Sequence, residues 1–127
     1  MDTEAGKRFA QAVAGKDREA LLTLLRPEID FRGMTPDQFW EANSAKTLVD
    51  GVLFGSWFEP QDHIEALERV ETGEVGDRRR VSYRLRLSNA DAKYVVEQQA
   101  YFTVEGGRIN WLRIMCSGFR PIEERQA

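Results

Sequence analysis

The second half of this chain is written in a two-residue rhythm, and that rhythm constrains the fold more than any other feature. From His63 onward four segments, "HIEALERVETGEV", "RRVSYRLRL", "KYVVEQQAYFTV" and "RINWLRIMCSGF", are separated by turn chemistry at residues 73–77, 89–92 and 106–107. In the second segment Val81, Tyr83, Leu85 and Leu87 alternate with Ser82, Arg84, Arg86 and Ser88. Successive side chains of a strand point to opposite faces, so this spacing predicts a strand with one buried and one wetter face. In the third segment Val96, Ala100, Phe102 and Val104 share a face on which Gln98 is the single polar member. Glu97, Gln99, Tyr101 and Thr103 occupy the other face, with Glu97 placed to pair with Arg84 or Arg86. An amide buried without a partner costs roughly 1–3 kcal/mol. Gln98 therefore either bonds a neighbour or orients a ligand.

The last segment, "INWLRIMCSGFRP", is apolar on both faces and admits two registers. A plain two-residue Gly106-Gly107 turn puts Trp111 and Met115 on the Gln98 face. A bulge near Asn110 turns Leu112, Ile114 and Cys116 inward instead, and this arrangement is the expected one. A strand that is apolar on both sides asks for a partner over its outer face, which predicts a homodimer through the outer sheet face.

The first half reads as helices. Thr3 is placed to cap a helix with Ala5, Phe9, Ala12 and Val13 on one face, and Gly15 suits its exit. Asp17 caps a second helix, "REALLTLLR", whose stripe is Leu21, Leu22, Leu24 and Leu25, with Pro27 as its stop. A short strand over residues 29–33 follows. "TPDQFW" has the pattern of a capping box, with Thr35 and Gln38 reciprocally bonded and Pro36 at the first helical position. It predicts a third helix that carries Phe39, Trp40, Asn43, Thr47 and Leu48 inward and loosens around Gly51 and Gly55. Three helices, an early strand and a four-strand meander make an α+β domain over residues 1–127 with its helices on one face.

Composition narrows the functions open to such a chain. Lys plus Arg total 18 against 21 Asp plus Glu, a formal net charge of −3, so no basic footprint for nucleic acid is present. The run Arg78, Arg79 and Arg80 is flanked by acids and reads as a solvated hairpin shoulder. One cysteine and one histidine support neither an internal disulfide nor an ordinary structural zinc site, and no cofactor is expected. The opening residues lack the pattern of a signal peptide, and no stretch reaches the ~18 apolar residues of a membrane span. A cytoplasmic protein without a membrane partner is the resulting expectation.

The order helix–helix–strand–helix–meander resembles the nuclear transport factor 2-like superfamily, with its SnoaL-like and ketosteroid-isomerase-like branches. The stretches "RFAQAVAGKDREALLTLL", "IDFRG" and "VEQQAYFTVEGGRINWLRI" carry the likeness. The resemblance implies a curved antiparallel sheet forming a cone closed by three N-terminal helices. It also implies a mostly apolar small molecule in the open end and a dimer through the outer sheet face. On that frame the expected ligand pocket draws on Phe9, Trp40, Asn43, Phe54, Trp57, Phe58, Tyr83, Gln98, Phe102, Ile114 and Cys116.

The residues of the enzymatic branches do not carry over. Where the isomerases place a helix tyrosine and two strand acids, this chain has Phe9, the stretch 31–33 without an inward carboxylate, and Ala100. Where the epoxide-hydrolase-like proteins alternate arginine and aspartate, the chain reads Glu97-Gln98-Gln99. A Cys116 nucleophile needs a base or a cation beside it. His63 lies three strands away, ~14 Å along a sheet with ~4.8 Å strand spacing. Cys116 thus reads as core, and His63 as the remaining candidate for a general base. The leading expectation is a SnoaL-like binding protein. The alternatives are proton-transfer, lyase or isomerase chemistry in the same pocket, and a dimeric interaction module without a ligand.

Overall fold

A computed structural model of the chain describes residues 4–122. Helices α1 (Glu4–Ala14) and α2 (Arg18–Leu24) lead into strand β1 (Leu25–Thr35), which turns back as β2 (Gln38–Ala42). Helix α3 (Thr47–Trp57) follows, then β3 (His63–Val75), β4 (Arg78–Ser88), β5 (Lys93–Glu105), β6 (Arg108–Cys116) and the short β7 (Arg120–Pro121). The seven strands form one sheet in the order β2-β1-β6-β5-β4-β3, with β7 paired to β5. The expected meander is therefore present, but the sheet is not wholly antiparallel. β1 runs parallel to β6, because the chain returns to β1's edge only after the whole meander.

α1 buries Ala5, Phe9, Ala12 and Val13, and packs across β3 and β4. Gly6 makes that approach close: a Cβ there would stand 2.9 Å from Val81 Cβ. The expected Thr3 cap lies outside the described residues. At the helix exit the left-handed residue is Lys16, with φ 50°, rather than Gly15. Its ammonium donates to the backbone oxygens of Glu59, at 2.7 Å, and Asp62, at 2.5 Å, and these bonds hold the unfavourable conformation. Asp17 caps α2 as expected, its Oδ1 accepting from the Ala20 amide at 3.1 Å. α2 then ends at Leu24, three residues before the expected stop at Pro27, and Leu25 already pairs with Ile109 in the sheet.

The segment "TPDQFW" corrects the largest expectation. Thr35 pairs with Gln38, and Pro36-Asp37 form the turn of the β1–β2 hairpin rather than a helix start. Pro at the second position of a turn is as natural as Pro at a first helical turn, so the tetrapeptide serves both. Here the flanking aromatics favour a strand. Trp40 Nε1 donates to Thr35 Oγ1 at 2.9 Å, while Phe39 faces out with 82 % exposure. Asn43 and Thr47, expected inside, are exposed as well. The helix begins later, where Ser44 Oγ accepts from the Thr47 amide at 3.1 Å.

α3 does not loosen at its glycines. It winds as a π-helix, with the Phe58 amide donating to Leu53 O at 2.7 Å. Widening the helix brings backbone against backbone: a Cβ on Gly55 would stand 2.3 Å from Asp50 O. Glycine at 55 thus permits the wide turn.

The last strand carries the expected bulge. Val104 pairs with Ile109 and Thr103 with Trp111, leaving Asn110 unpaired and turning Leu112, Ile114 and Cys116 into the core. Trp111 lies on the outer face with the Arg78 guanidinium 4.0 Å from its ring centre and that of Arg113 at 4.4 Å. Arg78, Arg79 and Arg80 are thus half-buried rather than a merely solvated shoulder. After Cys116 the chain stays beside β5. The Ser117 amide donates to Glu97 O and Ser117 Oγ accepts from the Glu97 amide, both at 2.9 Å, before β7 resumes the pairing. The Cys-Ser-Gly run is a strand end, with Gly118 at φ 76° making the bend.

Candidate functional site

The inner face of the sheet holds a file of aromatic and polar side chains that converges on one end. Phe9 of α1 meets Tyr83 of β4 at 6.3 Å between ring centres. Tyr83 and Gln98 are direct partners across β4 and β5, and the tyrosine hydroxyl donates to Gln98 Oε1 at 2.5 Å. Burial pushes the Tyr83 hydroxyl well above the ordinary tyrosine pKa, and the neighbouring Cys116 adds to the shift. Cys116 is the partner of Gln98 on β6, and its Sγ accepts from the Gly118 amide at 3.4 Å.

Beyond this file opens a pocket of about 350 Å³. Trp40 from β2 and Trp57 from the end of α3 meet edge to face at 6.2 Å, and Phe31 abuts Trp57 at 6.0 Å. Phe58 stacked on Phe119 at 6.0 Å also lines the pocket, as do Cys116 and Gly118. Aromatic pairs of this kind are rigid and bring large apolar area to a site.

The polar part of the lining is Thr35, Ser56, Glu59, Gln61, Asp62 and Asn89, of which Asp62 is only 4 % exposed. Its Oδ2 accepts from the Glu59 amide and its Oδ1 from Asn89 Nδ2, each at 3.0 Å. Those bonds tie the loop after α3 to the β4–β5 turn, while Lys16 clamps the same loop from behind.

Two donors in this region have no acceptor. Gln98 Nε2 and Trp57 Nε1 are buried, and neither meets a hydrogen-bond partner. Of the buried donors and acceptors of native proteins, more than nine in ten are paired by usual counts, so each orphan asks for an explanation.

Of the residues expected to line a pocket, Trp40, Trp57, Phe58 and Cys116 do. Tyr83, Gln98 and Phe9 stand behind them on the same inner face. Phe54 is half-buried against the core, and Phe102 and Ile114 are core side chains, Phe102 lying beside Gly6 of α1. Asn43 is exposed, because the segment that was to turn it inward is a strand and a loop rather than a helix. His63 is exposed and pairs with Ser88, with β4 and β5 between its strand and that of Cys116. Asp62, Asn89 and Phe119 are wall residues that strand periodicity does not reveal, since all three lie in turns. The signal for Asp62 is "EPQD", a turn whose last carboxylate caps its first amide.

A larger cleft of about 700 Å³ lies between α1, α2 and the β5–β6 turn. Arg8, Asp17, Glu19 and Arg108 line it together with Ala12, Ala20 and Leu24, and no aromatic side chain among the described residues does. Among the described residues no group of His, Cys, Asp and Glu could hold a metal ion. No described helix is long and apolar enough to cross a membrane.

No protein-family model matches the sequence, and no curated protein matches it. Solved structures do. A proposed isomerase from Bacillus subtilis is 14% identical with a TM-score of 0.72, covering 92% of this chain and 90% of the other. An NTF2-like protein from Burkholderia thailandensis is 16% identical with a TM-score of 0.65, covering 91% and 89%. A proposed polyketide cyclase from Pseudomonas putida is 14% identical with a TM-score of 0.65, covering 88% of each chain. The likeness is one of fold.

Proposed function

We propose that this chain, whose fold is that of the nuclear transport factor 2-like proteins, binds a small and mostly apolar molecule in the pocket between Trp40, Trp57, Phe58 and Phe119. The single observation that carries this reading is an aromatic-walled hollow of about 350 Å³ at one end of the inner sheet face. That volume lies in the range of small-molecule sites, roughly 300–1,000 Å³, and such sites combine apolar walls with a few polar groups. The neighbours in fold include proposed polyketide cyclases and isomerases, which supports a cavity-centred use of the scaffold without naming a ligand. A proton-transfer reading would fall on Asp62, but both its oxygens are engaged in holding the rim. At the positions of Phe9, Phe31, Gly33 and Ala100 the inner face offers no ionisable side chain. Binding is therefore the better supported reading. Native mass spectrometry of freshly purified protein tests it: a retained mass of a few hundred daltons, lost in a Phe58→Asp variant, is expected. Failure of any apolar probe to bind the folded protein would sink the reading.

A homodimer is the second part of the proposal. Met34, Phe39, Tyr101 and Met115 form an apolar groove on the outer sheet face, and Phe39 and Met115 are 82 % and 59 % exposed. Arg32 and Arg113 flank the groove with their acidic neighbours in the same chain, Arg113 pairing with Asp30 at 3.2 Å and Arg32 lying opposite Glu41, so a second copy turned by a two-fold would meet an apolar strip with a balanced rim.

A further inference from the structure

The segments that line the pocket are not held equally. Trp40 is fixed by its bond to Thr35 Oγ1, and Trp57 and Phe58 are 6 % and 1 % exposed where α3 ends. The loop carrying Glu59 and Asp62 is tied down by Lys16, and Asn89 is tied to Asp62. The remaining lining residues follow β6. As far as Met115 that strand is paired on both sides, to β5 and to β1. Beyond it the register with β1 has ended, and residues 117–122 pair with β5 alone. Pro121 has no amide proton to give to that ladder. The Ile122 amide closes the run by donating to Lys93 O at 3.0 Å.

This strap is also out of step with its neighbour. Ser117 is bonded to Glu97 while Arg120 pairs with Val95, so the strap uses one residue more than β5 over that interval. The extra residue makes a bulge, which releases Phe119 from the alternation of the sheet. Its ring lands on Phe58, at 6.0 Å, and on Tyr94, at 5.5 Å, and lines the pocket half-buried. The bend ahead of it is Gly118, at φ 76°, where a Cβ would stand 2.9 Å from Pro36 Cγ. Glycine adopts positive and negative φ about equally well, so the chain has a pivot directly before the ring. A segment bonded on one side, with a pivot at its root, opens locally at far less free energy than the sheet unfolds.

We infer that residues 118–122 are the gate of the pocket: the strap turns at Gly118, leaves β5 at Tyr94 and Val95, and carries Phe119 off Phe58 to admit a ligand. Phe119 is thereby the aromatic that sets access, while Trp40, Trp57 and Phe58 stay in place. This rests on the pocket reading above and adds the route by which the pocket is entered.

A reversible crosslink tests the movement. Val95 and Arg120 are paired, and Val95 alternates with the buried Val96 and so faces the outer side of the sheet, away from the pocket. Val95→Cys/Arg120→Cys is closed by oxidation and reopened by dithiothreitol. The probe is N-phenylnaphthylamine, a neutral dye that brightens on leaving water, mixed with the full chain in a stopped-flow instrument. Oxidation should slow entry and release alike by about tenfold or more, leave Kd nearly unchanged, and be undone by the reductant. Equal rates in the oxidised and reduced protein, with dye bound in both, overturn the gate and leave the pocket reading intact. If the dye binds neither the reduced variant nor the folded wild-type chain, the pocket reading fails first and takes the inference with it. Amide exchange on the wild-type protein keeps the test standing should the variant not fold. The Ile122 amide should exchange at least about tenfold faster than that of Gln98, and should slow when dye saturates the pocket. An Ile122 amide as protected as that of Gln98 means that the strap opens only with the whole sheet, and overturns the inference.

Discussion

The Tyr83 hydroxyl and Gln98 Oε1 face each other across β4 and β5 at 2.5 Å, both side chains being 2 % exposed. This bond is the polar centre of an otherwise apolar inner face. It explains why an amide is tolerated in the row of Val96, Ala100 and Phe102.

Removing one partner should cost more than removing both. Gln98→Leu leaves the buried Tyr83 hydroxyl without an acceptor, for an expected loss of about 1–3 kcal/mol. The double variant Gln98→Leu/Tyr83→Phe should recover part of that loss. Urea unfolding of the four proteins in the cycle checks it, and strict additivity would contradict the pairing.

Alkaline stability should report the same tyrosine. Its folded pKa is raised by burial, so the folded state holds a proton that the unfolded state gives up above pH ~10. The stabilisation is complete below that pH and is lost as pH rises beyond it. The wild-type denaturation midpoint should fall more steeply above pH ~10 than that of Tyr83→Phe, which has no hydroxyl to ionise. Identical slopes would remove Tyr83 from the account.

The two glycines of α3 should behave oppositely. A Cβ at 55 would collide with Asp50 O at 2.3 Å, whereas at 51 the nearest atom is Thr47 Cγ2 at 3.7 Å. Gly55→Ala should destabilise by about 1–3 kcal/mol through forced backbone shifts. Gly51→Ala should be neutral or stabilise by up to about 1 kcal/mol. Thermal melts of the pair suffice.

Lys16 separates backbone from side-chain effects. Lys16→Ala loses the bonds to Glu59 O and Asp62 O and keeps a Cβ at φ 50°. Lys16→Gly loses the same bonds but relieves the left-handed conformation, and should be the more stable of the two by about 1 kcal/mol. Reversal of that order in chemical denaturation would contradict the backbone strain at residue 16.

Association should depend on the outer face. Phe39→Glu puts a charge in the groove beside Met34 and Met115 and should shift sedimentation of a dimer toward monomer. Unchanged sedimentation would move any interface elsewhere.

The four long strands after residue 62 were legible because their alternation reports burial directly. Val81, Tyr83, Leu85 and Leu87 lie inside where spacing places them, and the bulge at Asn110 is where an apolar strand needs one to turn Cys116 inward. The pocket was half legible. Trp57 and Phe58 declare themselves as aromatics in an irregular stretch and Trp40 as an inward aromatic of a segment expected to be helical, but Asp62, Asn89 and Phe119 reach the wall only because distant loops meet.

What the residues determine alone is therefore local: which segments alternate, which side of each is apolar, and where Asp17 or a glycine pair interrupts. What tertiary contact decides is how ambiguous signals resolve. Thr35-Pro36-Asp37-Gln38 suits a helix start and a hairpin turn about equally. The hairpin is the one present, because β1 beside β6 offers a sheet edge for Gln38 to Ala42 to pair with and a hollow for Trp40. Likewise nothing in "GVLFGSW" announces a π-helix. That wider winding belongs to the helix that delivers Trp57 to Trp40 and Phe31, and such contacts exist only once the sheet has curved around them.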